Sequence, residues 1–217
     1  MSRPSKPELW SDFDGTAVEI VSKFNPRNWS KYPLAGIPGY EEFLHGVLNE
    51  DVRIAGIISR RPNIAPRRYV TARSVGKLGL DRQLFIHPSQ IVLTGSEEGK
   101  ARHVVERSRD VRVGIIDDKP HRIGLALLDA LLQEVPPTSE DGQLIALGVV
   151  SHGKSEDYTG RLMEAVGESD RDVTLSSNGD YPTFVGPSSN RFRLSVVQLD
   201  PYSVEAGNQF AHQIHAL

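Results

Sequence analysis

With 217 residues, 38% hydrophobic and 24% charged, the chain can bury a full core, and its formal charge of -3 argues against a generally basic surface built to hold nucleic acid. The absence of cysteine excludes disulfides, cysteine nucleophiles and cysteine-ligated zinc, and fits a reducing compartment. Met1 to Glu8 lacks an apolar signal core, and no stretch approaches the ~20 apolar residues of a membrane span. A cytoplasmic, soluble protein with no membrane partner is therefore the expectation.

The first predicted element is a strand near residues 8–13, which runs into Asp12-Phe13-Asp14-Gly15-Thr16. A strand sends successive side chains to opposite faces. Two carboxylates two residues apart can approach one reacting atom where the backbone leaves the extended form, and Gly15 permits this. Asp12 is a candidate nucleophile and Asp14 a candidate acid/base. A helical stretch near 39–49 precedes a buried strand near 53–58, which ends at the hydroxyl of Ser59. A helix near 65–78 and a strand near 84–86 follow. Gly99-Lys100 opens a helix near 98–108, and an apolar strand near 112–117 ends in Asp117-Asp118. Helices near 120–134 and 154–167 flank a strand near 144–151, with Pro136 to Gly142 as a polar surface connection. This alternation predicts an α/β protein with a mainly parallel sheet, whose ligands bind beyond the carboxyl ends of the strands, where the acids and Ser59 all fall.

After Gly167 the character changes. Ser176 to Pro182 is turn-rich, Phe192 to Leu199 alternates like a strand, and Val204 to Leu217 reads as a helix. The organisation expected is a core over residues 1–170, with residues 171–217 as an extension packed on it.

An acid pair with Gly-Thr, a strand-ending Ser, a lysine and a strand-ending acid pair, in that order, resemble the motifs of the haloacid dehalogenase (HAD) superfamily of phosphohydrolases. The resemblance covers roughly residues 8 to 120 and implies a Rossmann-like three-layer sandwich with an HAD-like core. It also implies a Mg²⁺-dependent phosphomonoester hydrolase. Asp12 would attack phosphorus to give an aspartyl-phosphate, while Asp14 protonates the leaving oxygen and then activates water. Asp12, the carbonyl of Asp14 and Asp118 would hold Mg²⁺, with Asp117 behind them. Ser59 would donate to the phosphoryl oxygens, and Lys100 would neutralise charge. Dehalogenating members lack an acid at the Asp14 position, which favours phosphatase chemistry. Many relatives carry another acid four residues past the metal ligand, and this sequence has Arg122 there. Neither Thr16 to Ile37 nor Arg60 to Gly99 has room for a large cap, and this resembles the capless members, which tend to act on large substrates or borrow a lid from another subunit.

Arg60, Arg61, Arg67, Arg68 and Arg73 follow Ser59 closely, and guanidinium forks match phosphate geometry. Arg60 and Arg61 are candidates for holding a second anionic group of a phosphorylated substrate, against the plainer reading of a solvated helix face. Gly148 to Ser155 matches a phosphate-cradling Walker A string, but only 62 residues follow it, too few for the rest of a nucleoside-triphosphatase sheet. Val149 and Val150 more simply continue a strand, with His152 and Lys154 beyond it as candidate substrate contacts. His212 and His215 read as surface or packing residues. Two alternatives stand beside the phosphatase reading. One is a nucleotide or polynucleotide end phosphatase, which the overall acidity disfavours; the other is a non-catalytic module that binds a phosphorylated ligand. The sequence carries no signal of oligomeric state.

Overall fold

A computed structural model describes residues 6–20, 34–77, 79, 87–133, 142–150, 157–176, 181–199 and 202–217. Along the chain run β1 (Glu8–Ser11), β2 (Val18–Ile20), β3 (Leu34–Gly36), α1 (Tyr40–Asn49), β4 (Arg53–Ser59) and α2 (Ala65–Lys77). Next come β5 (Ile91–Leu93), α3 (Glu97–Arg107), β6 (Val113–Asp117), α4 (Pro120–Gln133), β7 (Gln143–Val150) and α5 (Tyr158–Gly167). The chain closes with β8 (Thr174–Ser176), β9 (Thr183–Val185), β10 (Phe192–Leu199) and α6 (Val204–Ala216).

Eight strands form one sheet in the order β5-β4-β1-β6-β7-β10-β9-β8, and β2 and β3 form a separate hairpin. Every pairing from β5 to β10 is parallel, whereas β9 runs antiparallel to β10 and to β8. The strands β4, β1, β6 and β7 are nearly continuous apolar runs because helices cover both faces. On one face Leu9, Ile57, Ile116 and Val197 pack against Phe43 and Val47 of α1 and Phe210 and Ile214 of α6. On the other, Trp10, Ile58, Ile115 and Leu147 pack against Val104 of α3, Leu127 and Leu131 of α4, and Leu162 of α5. The result is a helix–sheet–helix sandwich, compatible with a Rossmann-like fold. Among the described residues, no helix is long and apolar enough to cross a membrane.

The expected elements recur with small shifts. β1 ends at Ser11, because Asp12 already enters the turn. The strand expected near 84–86 lies outside the described residues. The sheet's edge strand is β5 at Ile91–Leu93, a three-residue element too short to show a period, entered through a 3₁₀ turn at Pro88–Gln90. Residues 136–141, 151–156 and 177–180, including parts of the expected connection, helix and turn, also lie outside. Beyond residue 170, β10 extends the same sheet by pairing with β7 from Phe192↔Gln143 to Leu199↔Val150. α6 crosses α1 with backbones nearly touching, since a Cβ on Gly207 would meet the Phe43 carbonyl oxygen at 2.1 Å and the Gly46 Cα at 3.0 Å.

Candidate active site

From the interior strand β1 the chain steps outward to β4 and β5, then returns to β1's other side for β6 and β7. Such a reversal opens a crevice at the carboxyl ends of β1 and β6, where ligands of open α/β sheets bind. Register fills it with acid. Ser11 of β1 lies opposite Ile116 of β6, so the next residues, Asp12 and Asp117, emerge side by side. The backbone N–H of Asp12 donates to the Ile116 carbonyl at 2.9 Å.

Lys100 joins these acids from the opposite layer. Ser96 caps α3 by accepting from the Gly99 N–H at 3.0 Å, and Glu97 and Glu98 occupy the first turn, where negative charge suits the helix dipole. Lys100 thus stands one turn into the helix. Its ammonium, 1% exposed, donates to Asp12 Oδ1 at 2.8 Å and to Asp117 Oδ2 at 2.7 Å, with Glu97 Oε2 3.4 Å away. Asp117 is held from its other oxygen by the Lys119 N–H at 2.8 Å, just before Pro120 opens α4.

Asp118 is half-buried, with Lys119 Nζ 3.6 Å from its Oδ2. Carboxylate oxygens of Asp12, Asp117 and Asp118 lie within 4.8 Å of one another. Gly15 makes room for this. Its φ of +85° is a left-handed conformation, and a Cβ there would sit 2.3 Å from Asp118 Oδ2.

Electrostatics follow from the packing. Burial, with Asp117 beside it, raises the Asp12 carboxyl from 3.8 to about 8, against the pull of Lys100. Burial works against the Lys100 ammonium, but Asp117 and Asp12 outweigh it and raise the pKa. When all three aspartates are ionised, the ammoniums of Lys100 and Lys119 still leave a surplus of negative charge in a largely buried site. A donor set made only of hard oxygens, with that surplus, fits a hard divalent cation such as Mg²⁺.

Asp14 is oriented differently. Arg61 grips its carboxylate with both arms of the fork, Nε to Oδ2 at 2.7 Å and Nη2 to Oδ1 at 2.5 Å. Arg61 is itself buried, donates to Thr71 Oγ1 at 3.0 Å, and lies 5.0 Å from the centre of the Phe13 ring. Arg61, the candidate for a second anionic group of a substrate, is turned to Asp14. Arg60 is exposed, with Glu97 Oε1 3.6 Å away.

Ser59, fully buried at the end of β4, accepts from the Arg61 N–H at 3.3 Å, and its carbonyl accepts from the Thr94 N–H at 2.9 Å. The hydroxyl keeps its own proton to donate. His152 and Lys154 lie outside the described residues. Gly148, Val149 and Val150 belong to β7. His212 Nε2 lies 2.9 Å from Glu50 Oε2, and His215 Nε2 donates to the Glu50 carbonyl at 2.8 Å, both against the end of α1.

Two supports carried no sequence signal. Tyr40 donates to Ser11 Oγ at 2.7 Å, and Ser11 Oγ donates to the Asp12 carbonyl at 2.8 Å, which steadies the turn at the first acid. Burial and the charge of Asp12 raise the Tyr40 phenol, so it stays a donor. The Arg61–Asp14 pair spans 47 positions, a separation at which no periodic pattern is readable.

Fold and site together define an α/β protein with a lysine-bridged carboxylate cluster at the reversal point of a parallel sheet. No family model, curated protein or solved structure matches the chain.

Proposed function

We propose that the chain is a Mg²⁺-dependent phosphomonoester hydrolase that works through an aspartyl-phosphate on Asp12, with a core of the HAD kind. One observation carries this reading. Lys100 bridges Asp12 and Asp117, with Asp118 beside them, at the crevice where an open parallel sheet receives its ligand. The order of motifs in the sequence supports it independently.

Asp12 supplies the attacking carboxylate oxygen, which Lys100 keeps in a fixed rotamer. The two oxygens of Asp117 already take bonds from Lys100 and Lys119. Asp118 is therefore the better placed to join Asp12 and the Asp14 carbonyl in holding Mg²⁺, with Asp117 bracing Lys100. When bound, Mg²⁺ offsets the negative charge of the carboxylates and of the transferring phosphoryl group. Ser59 donates toward the phosphoryl oxygens from the neighbouring strand. Asp14, with a partly exposed carboxyl aimed by Arg61, gives a proton to the departing oxygen and takes one from the water that opens the aspartyl-phosphate.

Hydrolysis of para-nitrophenyl phosphate with Mg²⁺ and with a chelator, beside Asp12→Asn, tests this. Turnover that needs the metal and disappears in the variant is expected. Equal turnover in the variant would overturn the assignment of the nucleophile.

A further inference from the structure

The chain is acidic overall, but one face beside the crevice has the opposite character. Thr71, Ser74 and Val75 turn α2 onto the sheet, which leaves Arg68, Tyr69 and Arg73 facing solvent. Four large apolar side chains are exposed among the described residues, and two of them, Ile64 at 53% and Tyr69 at 63%, sit on this short stretch. Arg60, next to Ser59, is also exposed. No acid stands in the first turn of α2, and no carboxylate pairs with Arg68 or Arg73 among the described residues. Tyr69 and Arg73 are helical neighbours four apart. From Ala65 to Arg73 the strip is about 12 Å long, at 1.5 Å per residue.

Singly exposed apolar side chains are ordinary on a surface, but here two fall within one short stretch that also carries exposed arginines. Exposed arginines around an exposed ring are the elements that hold a single nucleic-acid strand, with cations on phosphates and a flat side chain on which a base stacks. The strip begins where β4 delivers Ser59 to the crevice, so a strand lying along α2 would lead its end toward Asp12. We infer that the phosphoryl group removed at Asp12 is a terminal phosphate of a single-stranded oligonucleotide, and that Arg68, Tyr69 and Arg73 hold the adjoining nucleotides. This deepens the phosphatase reading and rests on it for the reaction, though not for the binding.

Two measurements separate the two claims. First, oligothymidylates with a fluorophore at one end and a phosphate at the other, in both polarities, are titrated by anisotropy against the Asp12→Asn chain, which cannot turn over. Tyr69→Ala in that background should weaken binding about five- to 150-fold. The pair Arg68→Gln and Arg73→Gln should flatten the slope of log affinity against log salt by about 1.4, since each phosphate neutralised on a single strand contributes about 0.7. Second, in the chain with Asp12 intact, the same substitutions should raise KM for the oligonucleotide and leave kcat and para-nitrophenyl phosphate kinetics unchanged.

Unchanged affinity and salt slope in the variants would overturn the inference whether or not the chain is a phosphatase. So would binding of the oligonucleotide no tighter than that of a phosphorylated mononucleotide, or capture of a phosphopeptide in its place. Oligonucleotide binding that depends on the strip, with no turnover of any phosphomonoester, would uphold the surface and sink the hydrolase reading alone.

Discussion

Replacing Asp12 by Asn should make the metal-free protein more stable while removing its activity. The carboxyl is 4% exposed and faces Asp117, and its pKa rises from 3.8 to about 8. Each pH unit corresponds to about 1.36 kcal/mol, so at pH 7 keeping this group in the fold costs up to about 4 kcal/mol. Asn carries no charge to desolvate but weakens the bond from Lys100, a charge-assisted contact of about 1.5–3 kcal/mol. The balance is a gain of about 1–3 kcal/mol, or a rise in Tm of about 2–12 °C for a chain of this size. A carboxyl whose folded pKa lies above its unfolded one supports the fold while protonated, and this support fades as pH climbs from about 4 through about 8. The advantage of Asp12→Asn should therefore be absent near pH 4, grow through neutrality and level off above pH 8. Calorimetric melts across that range in chelator read the difference directly. Saturating Mg²⁺ should reverse the ranking, because a cation held by the native carboxylates would stabilise the fold by mass action. A variant that melts below the native chain in chelator at pH 7 to 8, or a difference indifferent to pH, would refute the account of this site as a reservoir of unfavourable charge.

Gly15→Ala places a methyl group 2.3 Å from Asp118 Oδ2 in a left-handed turn. Backbone strain alone should cost about 1–2 kcal/mol, and Mg²⁺ affinity by titration calorimetry should drop at least tenfold; native affinity would show that Asp118 is not a ligand. Arg61→Lys replaces a two-armed grip on Asp14 by a single donor. If Asp14 protonates the leaving group, kcat should fall tenfold or more on an alkyl phosphate and little on para-nitrophenyl phosphate, whose phenolate departs unaided; equal losses would dismiss that role. Glu8, buried at the start of β1, would have its pKa raised by burial, but the bonds from Arg107 and Arg53 outweigh this and hold it below 4.5. Its support of the fold is complete above about pH 4.5 and is lost as pH falls through the lowered value. Glu8→Gln should thus cost about 1–3 kcal/mol at pH 7 in denaturant melts and progressively less as pH falls through the lowered value, and a constant cost would remove the charge from the explanation.

The parts of this site that could be read in advance are those set by strand ends. Asp12, Ser59 and Asp117 each close an apolar run, and a parallel sheet brings the ends of such runs to one edge. Lys100 was legible from its place in the order of motifs, since a lysine in the first turn of a helix is by itself more often solvated, and only the fold shows it reaching across two strands. Asp14 was readable as an acid near the centre but not as the partner of Arg61, because that pair forms through the turn after β4, which no pattern in the sequence describes. Glu8 with Arg53 and Arg107, and Tyr40 with Ser11, were silent for the same reason: their partners lie 29 to 99 positions away. β5, β8 and β9, at three residues each, are too short to display an alternation. The parallel join of β10 to β7 could not be foreseen either, since β7 ends at Val150 and β10 opens only at Phe192, with a helix and two short strands between them.

Of the eight strands in the main sheet, the one at the heart of the site is also the first to be made. As the chain leaves the ribosome, β1 exists long before β6, its neighbour on one side, and longer still before α6 covers its face. Contacts so distant in sequence close slowly. Until they do, the nascent chain carries Leu9, Trp10 and Phe13 uncovered beside carboxylates that have no lysine to answer them. Assembly of the carboxylate edge is in this sense a late event of synthesis, and a chain halted before β6 would lack the cluster and be prone to stick.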